Sequence, residues 1–214
     1  NILSDANMVG EHFAVLPSDI AFELMTGSAT LLPAVPNAPD GAAVYSATAG
    51  SGAARFGVSG GNLYTGTGTT AAQITADFYG SIERMATFQN TKGKPFFRPS
   101  VRGVKFVIYH GAALQQQFAE AFRAEIVQGS SAGVSNVILA NQMQVELRPT
   151  ASISDNDWYV FRTDVPVKPF TQLVLEPLRF IGFATESNSD DARRTGVESV
   201  SWEWRGAFSP NLPI

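Results

Sequence analysis

The stretch from Thr70 to Gln89 constrains this chain more than any other, because its pattern fits one long amphipathic helix. Thr70 can act as N-cap, and Gln73, three residues on, can complete a capping box. Ile74, Phe78, Ile82, Met85 and Phe88 follow at spacings of four and three, which puts them on one face. Gln73, Asp77, Arg84 and Thr87 fall largely elsewhere around the helix. Gly80, near its middle, costs roughly 1 kcal/mol against Ala, so packing rather than propensity must hold the helix. At 1.5 Å per residue it spans about 30 Å, the width of a small domain. Such an element suits a scaffold better than a catalytic loop.

Composition sets the frame for that scaffold. A chain of 214 residues can bury a sizeable core, as one large domain or two small ones. Hydrophobic residues make up 44% and charged residues only 16%. So little charge fits either a neutral, loop-rich monomer or a surface largely covered by partners, since interface cores are depleted in charge. The net charge of −4 argues against non-specific nucleic-acid binding by the whole chain. The absence of Cys removes disulfides, thiolate catalysis and Cys-ligated metal sites. No apolar run is long enough for a transmembrane helix, and the N-terminus lacks the charged-then-apolar order of a signal peptide. Asn1 in place of an initiator Met reads as a cleaved or otherwise incomplete beginning.

Around the long helix the chain divides into contrasting segments. Residues 1–15 are weakly patterned; Pro17-Ser18-Asp19 then introduces a short helix that stops at Gly27. Pro33, Pro36 and Pro39 break the next stretch into extended or turn segments, and Asp40-Gly41 predicts a turn into a short strand from Ala42 to Tyr45. From Ala47 to Thr70 the chain is rich in Gly, Ala, Ser and Thr, with Phe56, Leu63 and Tyr64 as expected anchors. Beyond the long helix, Val104 to Tyr109 reads as a buried strand. Leu114, Phe118, Phe122 and Ile126 predict a second helix over about Ala112 to Val127, ending at Gly129. A Gly/Ser loop over 129–136 leads to strands at Met143–Leu147, Trp158–Arg162, Thr171–Glu176 and Leu178–Phe183. In the final strand Val200, Trp202 and Trp204 share one face, opposite Ser201, Glu203 and Arg205. The fold class is therefore α+β.

A search for chemistry finds no catalytic, cofactor-binding or metal-ligating set. Neither His12 nor His110 has a metal-type partner three or four positions away. His110 ends a strand just before Gly111, a place where catalytic residues occur in α/β folds, but no nucleophile motif accompanies it. Gly57, Gly60, Gly61, Gly66 and Gly68 precede the long helix and superficially suit an anion at its N-terminus. No Lys-Ser/Thr comes after them, so a flexible turn region is the plainer reading. The loop Glu186 to Asp191 carries oxygen ligands for Ca²⁺ but lacks EF-hand spacing, and Arg193 and Arg194 compete for its carboxylates. Trp202 and Trp204 could form a sugar-stacking platform or simply pack a strand into a core. No enzymatic function and no cofactor is expected.

The order of the segments adds what no single motif carries. Asp40-Gly41-Ala42-Ala43-Val44-Tyr45, Asn62-Leu63, the Gly/Thr turn, the long helix and Lys92-Gly93-Lys94-Pro95 come in succession. Phe106-Val107-Ile108 leads into the helix of Leu114 to Ile126; Trp158 to Phe161 precedes Lys168-Pro169-Phe170; Gly196-Val197-Glu198 opens a strand ending Arg205-Gly206-Ala207-Phe208. From Asp19 to Phe208 this order resembles the major head subunit of Mu-like phages and prophages. That resemblance implies a major capsid protein of the Hong Kong-97 type fold. Such a fold has a peripheral domain with a long spine helix and a long-stranded sheet, an axial domain with a central sheet flanked by helices, and extended loops. By this analogy residues 1–70 form an extended N-terminal region with a short helix, 71–100 the peripheral domain with Thr70–Gln89 as spine, 101–170 the axial domain, and 171–214 a return to the peripheral domain. The chain departs from the family in having only eighteen residues before Asp19, where the N-terminal arm and extended hairpin are expected.

The function implied is a structural subunit of a bacteriophage or prophage virion. Copies would self-assemble in the host cytoplasm into the pentamers and hexamers of an icosahedral capsid around double-stranded DNA. Its partners would be further copies, with decoration, portal and scaffold proteins, weak non-specific contact with packaged DNA, and no membrane. The alternatives are an encapsulin-like nanocompartment shell and a carbohydrate-binding β-rich module using Trp202 and Trp204.

Overall fold

The computed structural model describes residues 2–28, 30–31, 34, 37–96, 104–123, 126–128, 133–135, 143–164, 170–183 and 200–210. In chain order its helices are α1 (Ile2–Thr26), α2 (Ala71–Thr87) and α3 (Gln115–Arg123). Its strands are β1 (Lys105–Gly111), β2 (Ile126–Gln128), β3 (Gly133–Ser135), β4 (Gln144–Thr150), β5 (Trp158–Arg162), β6 (Phe170–Phe183) and β7 (Val200–Pro210). The α+β class is observed. The chain divides into two units: Asn1–Val35 with Phe170–Ser209, and Pro36–Pro169 with Pro210–Ile214.

The second unit is built around β1. Its neighbours are β4, parallel, and β5, antiparallel, giving the order β4-β1-β5. Phe106, Ile108 and His110 point to the buried side, where Ile108 lies between Leu147 and Val160 in register. The strand is thus buried on alternate residues rather than throughout, since Val107 and Tyr109 are only half-buried. A parallel pair needs a crossover connection. Between β1 and β4 the chain supplies a 3₁₀ turn at Ala112–Leu114, then α3, and then the β2-β3 pair.

The helix α2 forms as its local signals require. Thr70 accepts from the Gln73 backbone N–H while the Gln73 side chain accepts from the Thr70 N–H, the full capping box. Ile74 and Phe78 are fully buried, and Ile82 and Met85 pack beside them. The ring of Phe78 meets Phe106 edge-on at 5.5 Å and Phe122 at 4.9 Å. This face is therefore packed with residues of β1 and α3, segments expected in a different domain from the helix. Asp77, expected off this apolar face, is also buried. A Cβ at Gly80 would meet the Tyr64 hydroxyl, the end of an exposed side chain.

The Gly/Ala/Ser-rich region is held by a buried charge as well as by one apolar anchor. Arg55 is buried and donates to both carboxylate oxygens of Asp40, to the Val44 carbonyl at 2.7 Å and to Asn62 Oδ1. Asn62 in turn donates to the Val44 carbonyl and accepts from the Ser46 N–H. The residues 42–45 consequently form bends around a guanidinium, not the expected strand. Of the expected anchors, Phe56 stacks on Phe88 at 4.7 Å, whereas Leu63 and Tyr64 are exposed.

Two other segments of this unit depart from expectation. The second helix ends at Arg123, and Ile126 belongs to β2. The loop expected over 129–136 contains β3, whose Val134 pairs with Val127. Gly129 lies outside the described residues.

The first unit combines α1 with the β6-β7 sheet. The helix starts at Ile2, not at Pro17, and runs for 25 residues with Pro17 inside it. Glu23, Leu24 and Met25 are buried near its end. Gly27 stops it as expected, with φ of 72° and its N–H on the Glu23 carbonyl. The Glu23 carboxylate then accepts the backbone N–H groups of Thr30 and Leu31, which fixes the exit of the chain. The two strands expected at 171–176 and 178–183 are one continuous strand that runs through Pro177. Among the described residues its neighbour is β7, and a residue without an N–H is tolerated where its nitrogen faces away from the partner strand. The final strand is present as Val200–Pro210; the side chains of Trp202 and Trp204 lie outside the described residues.

Candidate functional site

Among the described residues, those weighed for chemistry from the sequence do not converge. His110 is fully buried in the second unit, opposite Trp158 in the register of β1 and β5. Its ring lies parallel to that of Phe118 at 4.2 Å. Nδ1 sits 2.9 Å from the Gly111 carbonyl. A carbonyl can only accept, so Nδ1 donates to it. Nε2 is buried without a hydrogen-bond partner. Strand position brought His110 to notice; its surroundings make it a packed core residue. Among the described residues no three His, Asp or Glu side chains group as a metal site would require. His12 lies on α1, and its side chain is outside the described residues, as is the acidic loop Glu186–Asp191 with Arg193 and Arg194.

The glycine-rich approach to α2 is filled by the protein's own groups. Gly57, Gly60, Gly61 and Gly68 have positive φ. The Asp77 carboxylate reaches back to accept the Thr67 N–H at 2.8 Å and the Thr67 hydroxyl at 3.0 Å. Gln73 takes the Thr70 N–H and donates to the Thr67 carbonyl. An anion at this helix start would meet a buried carboxylate and donors already in use. The arrangement is a closed turn and not a phosphate cradle.

Other charged groups pair locally. Arg55 holds the Asp40 carboxyl below its usual range, and Arg162 does the same for Asp164. Tyr45 and Tyr159 lie with ring centroids 5.2 Å apart. Burial, with the nearby charges of Asp157 and Asp155, pushes the Tyr159 hydroxyl up to about 12. Burial likewise pushes Tyr45 up, so both stay neutral and serve packing.

What the molecule does present is apolar surface on β6. Leu173, Val174 and Leu175 are 55%, 46% and 69% exposed. Successive residues of a strand point to opposite faces, so both faces of β6 are open at this point. On α1 the large side chains of Met8 and Val15, two turns apart on one side of the helix, are exposed as well. Single exposed apolar residues are ordinary on a surface, whereas large contiguous apolar patches mark interaction sites; here Leu173 and Leu175 share one face and Val174 lies on the other. Sequence reasoning placed a strand here but assigned no role to this run; three adjacent large apolar residues beside Pro177 were the available signal. No helix among the described residues is long and apolar enough to cross a membrane. Neither a family model, nor a curated protein, nor a solved structure matches this chain.

Proposed function

We propose that this protein is a shell subunit: the major capsid protein of a tailed bacteriophage or prophage, with a Hong Kong-97 type fold. Copies assemble as pentamers and hexamers into a closed container for double-stranded DNA. The observation that carries this reading is the exposed Leu173-Val174-Leu175 run on a 14-residue strand, which suits a surface completed by other subunits. Its setting supports it too. The first unit joins a 25-residue helix to a long two-stranded sheet, the ingredients of a peripheral domain. The spine role accordingly passes from α2 to α1. The second unit sets a three-stranded sheet against α2 and α3, the ingredients of an axial domain, so that domain would extend from Pro36 to Pro169 and include α2. Rings closed by heterologous contacts provide the symmetry such a shell needs.

Negative-stain microscopy and sedimentation velocity of the purified chain test the proposal. Capsomers or shells are the expected result. A strictly monomeric species at high concentration, with the chain missing from purified virions, would overturn it.

A further inference from the structure

Charge is spread unevenly along this chain. Between Glu83 and Glu120 the sequence carries six basic residues, Arg84, Lys92, Lys94, Arg98, Arg102 and Lys105, and no acidic one. The rest of the chain holds nine basic residues against all nineteen acidic ones, a net charge of −10. The overall charge of −4 therefore conceals one basic segment within an acidic protein. Such a distribution repels a polyanion from most of the chain and draws it to one place.

The ion pairs separate committed charges from available ones. Arg55, Arg148, Arg162 and Arg205 each lie against a carboxylate. Lys92 and Lys94 are exposed and have no such partner among the described residues. They flank Gly93 at the tip of a tight turn. Asn90 Oδ1 accepts the Lys92 N–H at 2.9 Å and the Lys94 N–H at 3.0 Å. The Asn90 N–H donates to the Lys94 carbonyl, and the Gly93 N–H to the Asn90 carbonyl. The φ of 72° at Gly93 lies in the left-handed region that favours glycine. Below the tip, the Gln89 N–H donates to the Phe56 carbonyl and the Phe96 N–H to the Phe88 carbonyl. The Phe56 ring stacks on Phe88 and meets Phe96 edge-on at 6.0 Å. All these turn bonds use backbone groups or the Asn90 side chain, so both lysine ammonium groups stay available. The remaining tip residues, Thr91, Gly93 and Pro95, are exposed and supply no large apolar side chain for insertion into a bilayer.

We infer that the turn Asn90–Lys94 is a contact site for the phosphate backbone of nucleic acid, with Lys92 and Lys94 each set against a phosphate. The lysine head is a compact point charge, which suits a phosphate and reads no base. Binding is therefore independent of sequence and sensitive to salt. The inference rests on the shell reading for the identity of the ligand, which is then enclosed double-stranded DNA. Two contacts per copy are weak alone and gain by avidity when many copies meet one polymer.

Fluorescence anisotropy of the full chain with a short labelled DNA duplex of mixed sequence, between about 50 and 200 mM salt, tests the site. The double variant Lys92→Gln/Lys94→Gln changes two exposed side chains outside the turn's own bonds, and circular dichroism checks that it folds. The native chain should bind, with log affinity falling linearly in log salt. The double variant should bind more weakly, with a slope shallower by about 2, since each neutralised phosphate contributes about 0.9. Arg148→Gln removes an exposed charge already paired with Glu146 and should leave the slope unchanged. No binding by the native chain at the lowest salt, an unchanged slope in the double variant, or an equal loss in Arg148→Gln would overturn the site. Tighter binding to phosphatidylglycerol vesicles than to the duplex would overturn the nucleic-acid assignment, and tighter binding to an RNA duplex would overturn DNA as the ligand. Sedimentation velocity on the same samples keeps the two readings apart. Shells whose DNA affinity ignores the double variant would reject this site and retain the shell. A chain that binds DNA through these lysines and never assembles would retain the site and reject the shell.

Discussion

Arg55 grips both oxygens of the Asp40 carboxylate, at 2.8 and 2.6 Å, from inside a segment made largely of Gly, Ala, Ser and Thr. The guanidinium is buried, so removing its partner or its charge leaves polar groups stranded. Arg55→Ala should cost roughly 3 kcal/mol, as breaking one side of a buried pair does, read as a lowered urea midpoint. Arg55→Lys should recover little, because a point charge cannot make the paired contact or reach Val44 and Asn62 together. The pH dependence has a definite sign. Asp40 has a lowered pKa in the folded state, so its contribution is complete above the ordinary carboxylate value of about 3.8 and is lost as pH falls through the lower folded value. Arg55→Ala should remove that part of the acid limb of the stability profile.

Gly80 and Tyr64 form a second coupled pair. In isolation Gly80→Ala should stabilise a helix interior by about 1 kcal/mol. Here the added methyl meets the Tyr64 hydroxyl, the end of an exposed side chain that can swing aside, so the single variant should raise the thermal midpoint by less than propensity alone provides. In a Tyr64→Ala background the same change should give the full gain. The difference between the two backgrounds in this double-mutant cycle is the measurement, and additive effects would refute the contact.

Asp77 makes a different kind of contribution. It anchors the loop before α2 through the backbone and hydroxyl of Thr67. Asp77→Ala leaves that N–H without its acceptor, at a cost of about 1–3 kcal/mol. Asp77→Asn keeps one carbonyl oxygen and should lose less. Amide hydrogen exchange at Thr67 should accelerate in Asp77→Ala before the core of β1 is affected.

What was legible in the sequence was mostly local. The Thr70–Gln73 capping box lies within one turn, and both its bonds form. Trp158–Arg162 was bounded by its own composition and is a strand over those residues. The features that escaped depend on distant partners. Residues 2–16 show little amphipathic order, yet they continue a helix whose unit is completed by β6, far along the chain. Ile126 continues the spacing of Leu114, Phe118 and Phe122, but α3 stops three residues earlier and Ile126 pairs with Ser135 instead. Nothing near Arg55 announces Asp40, fifteen positions away. The candidate surface was visible only as a strand, because exposure of Leu173 to Leu175 is a property of what does not pack on them.

Substitutions at His110 separate a packing residue from a chemical one. Its Nδ1–H is satisfied by Gly111, but its Nε2 is buried with no hydrogen-bond partner. An unsatisfied buried polar atom costs about 1–3 kcal/mol. Phe is close in shape and can keep the parallel stack on Phe118. His110→Phe should therefore fold and match or exceed the native thermal midpoint, even with the Gly111 bond lost. His110→Ala should fall well below it, since it opens a cavity beside Phe118 and Trp158. If His110 served chemistry rather than packing, both substitutions would abolish function together. On the shell reading, particle yield should follow the stability of each variant, so His110→Phe should assemble and His110→Ala should assemble poorly.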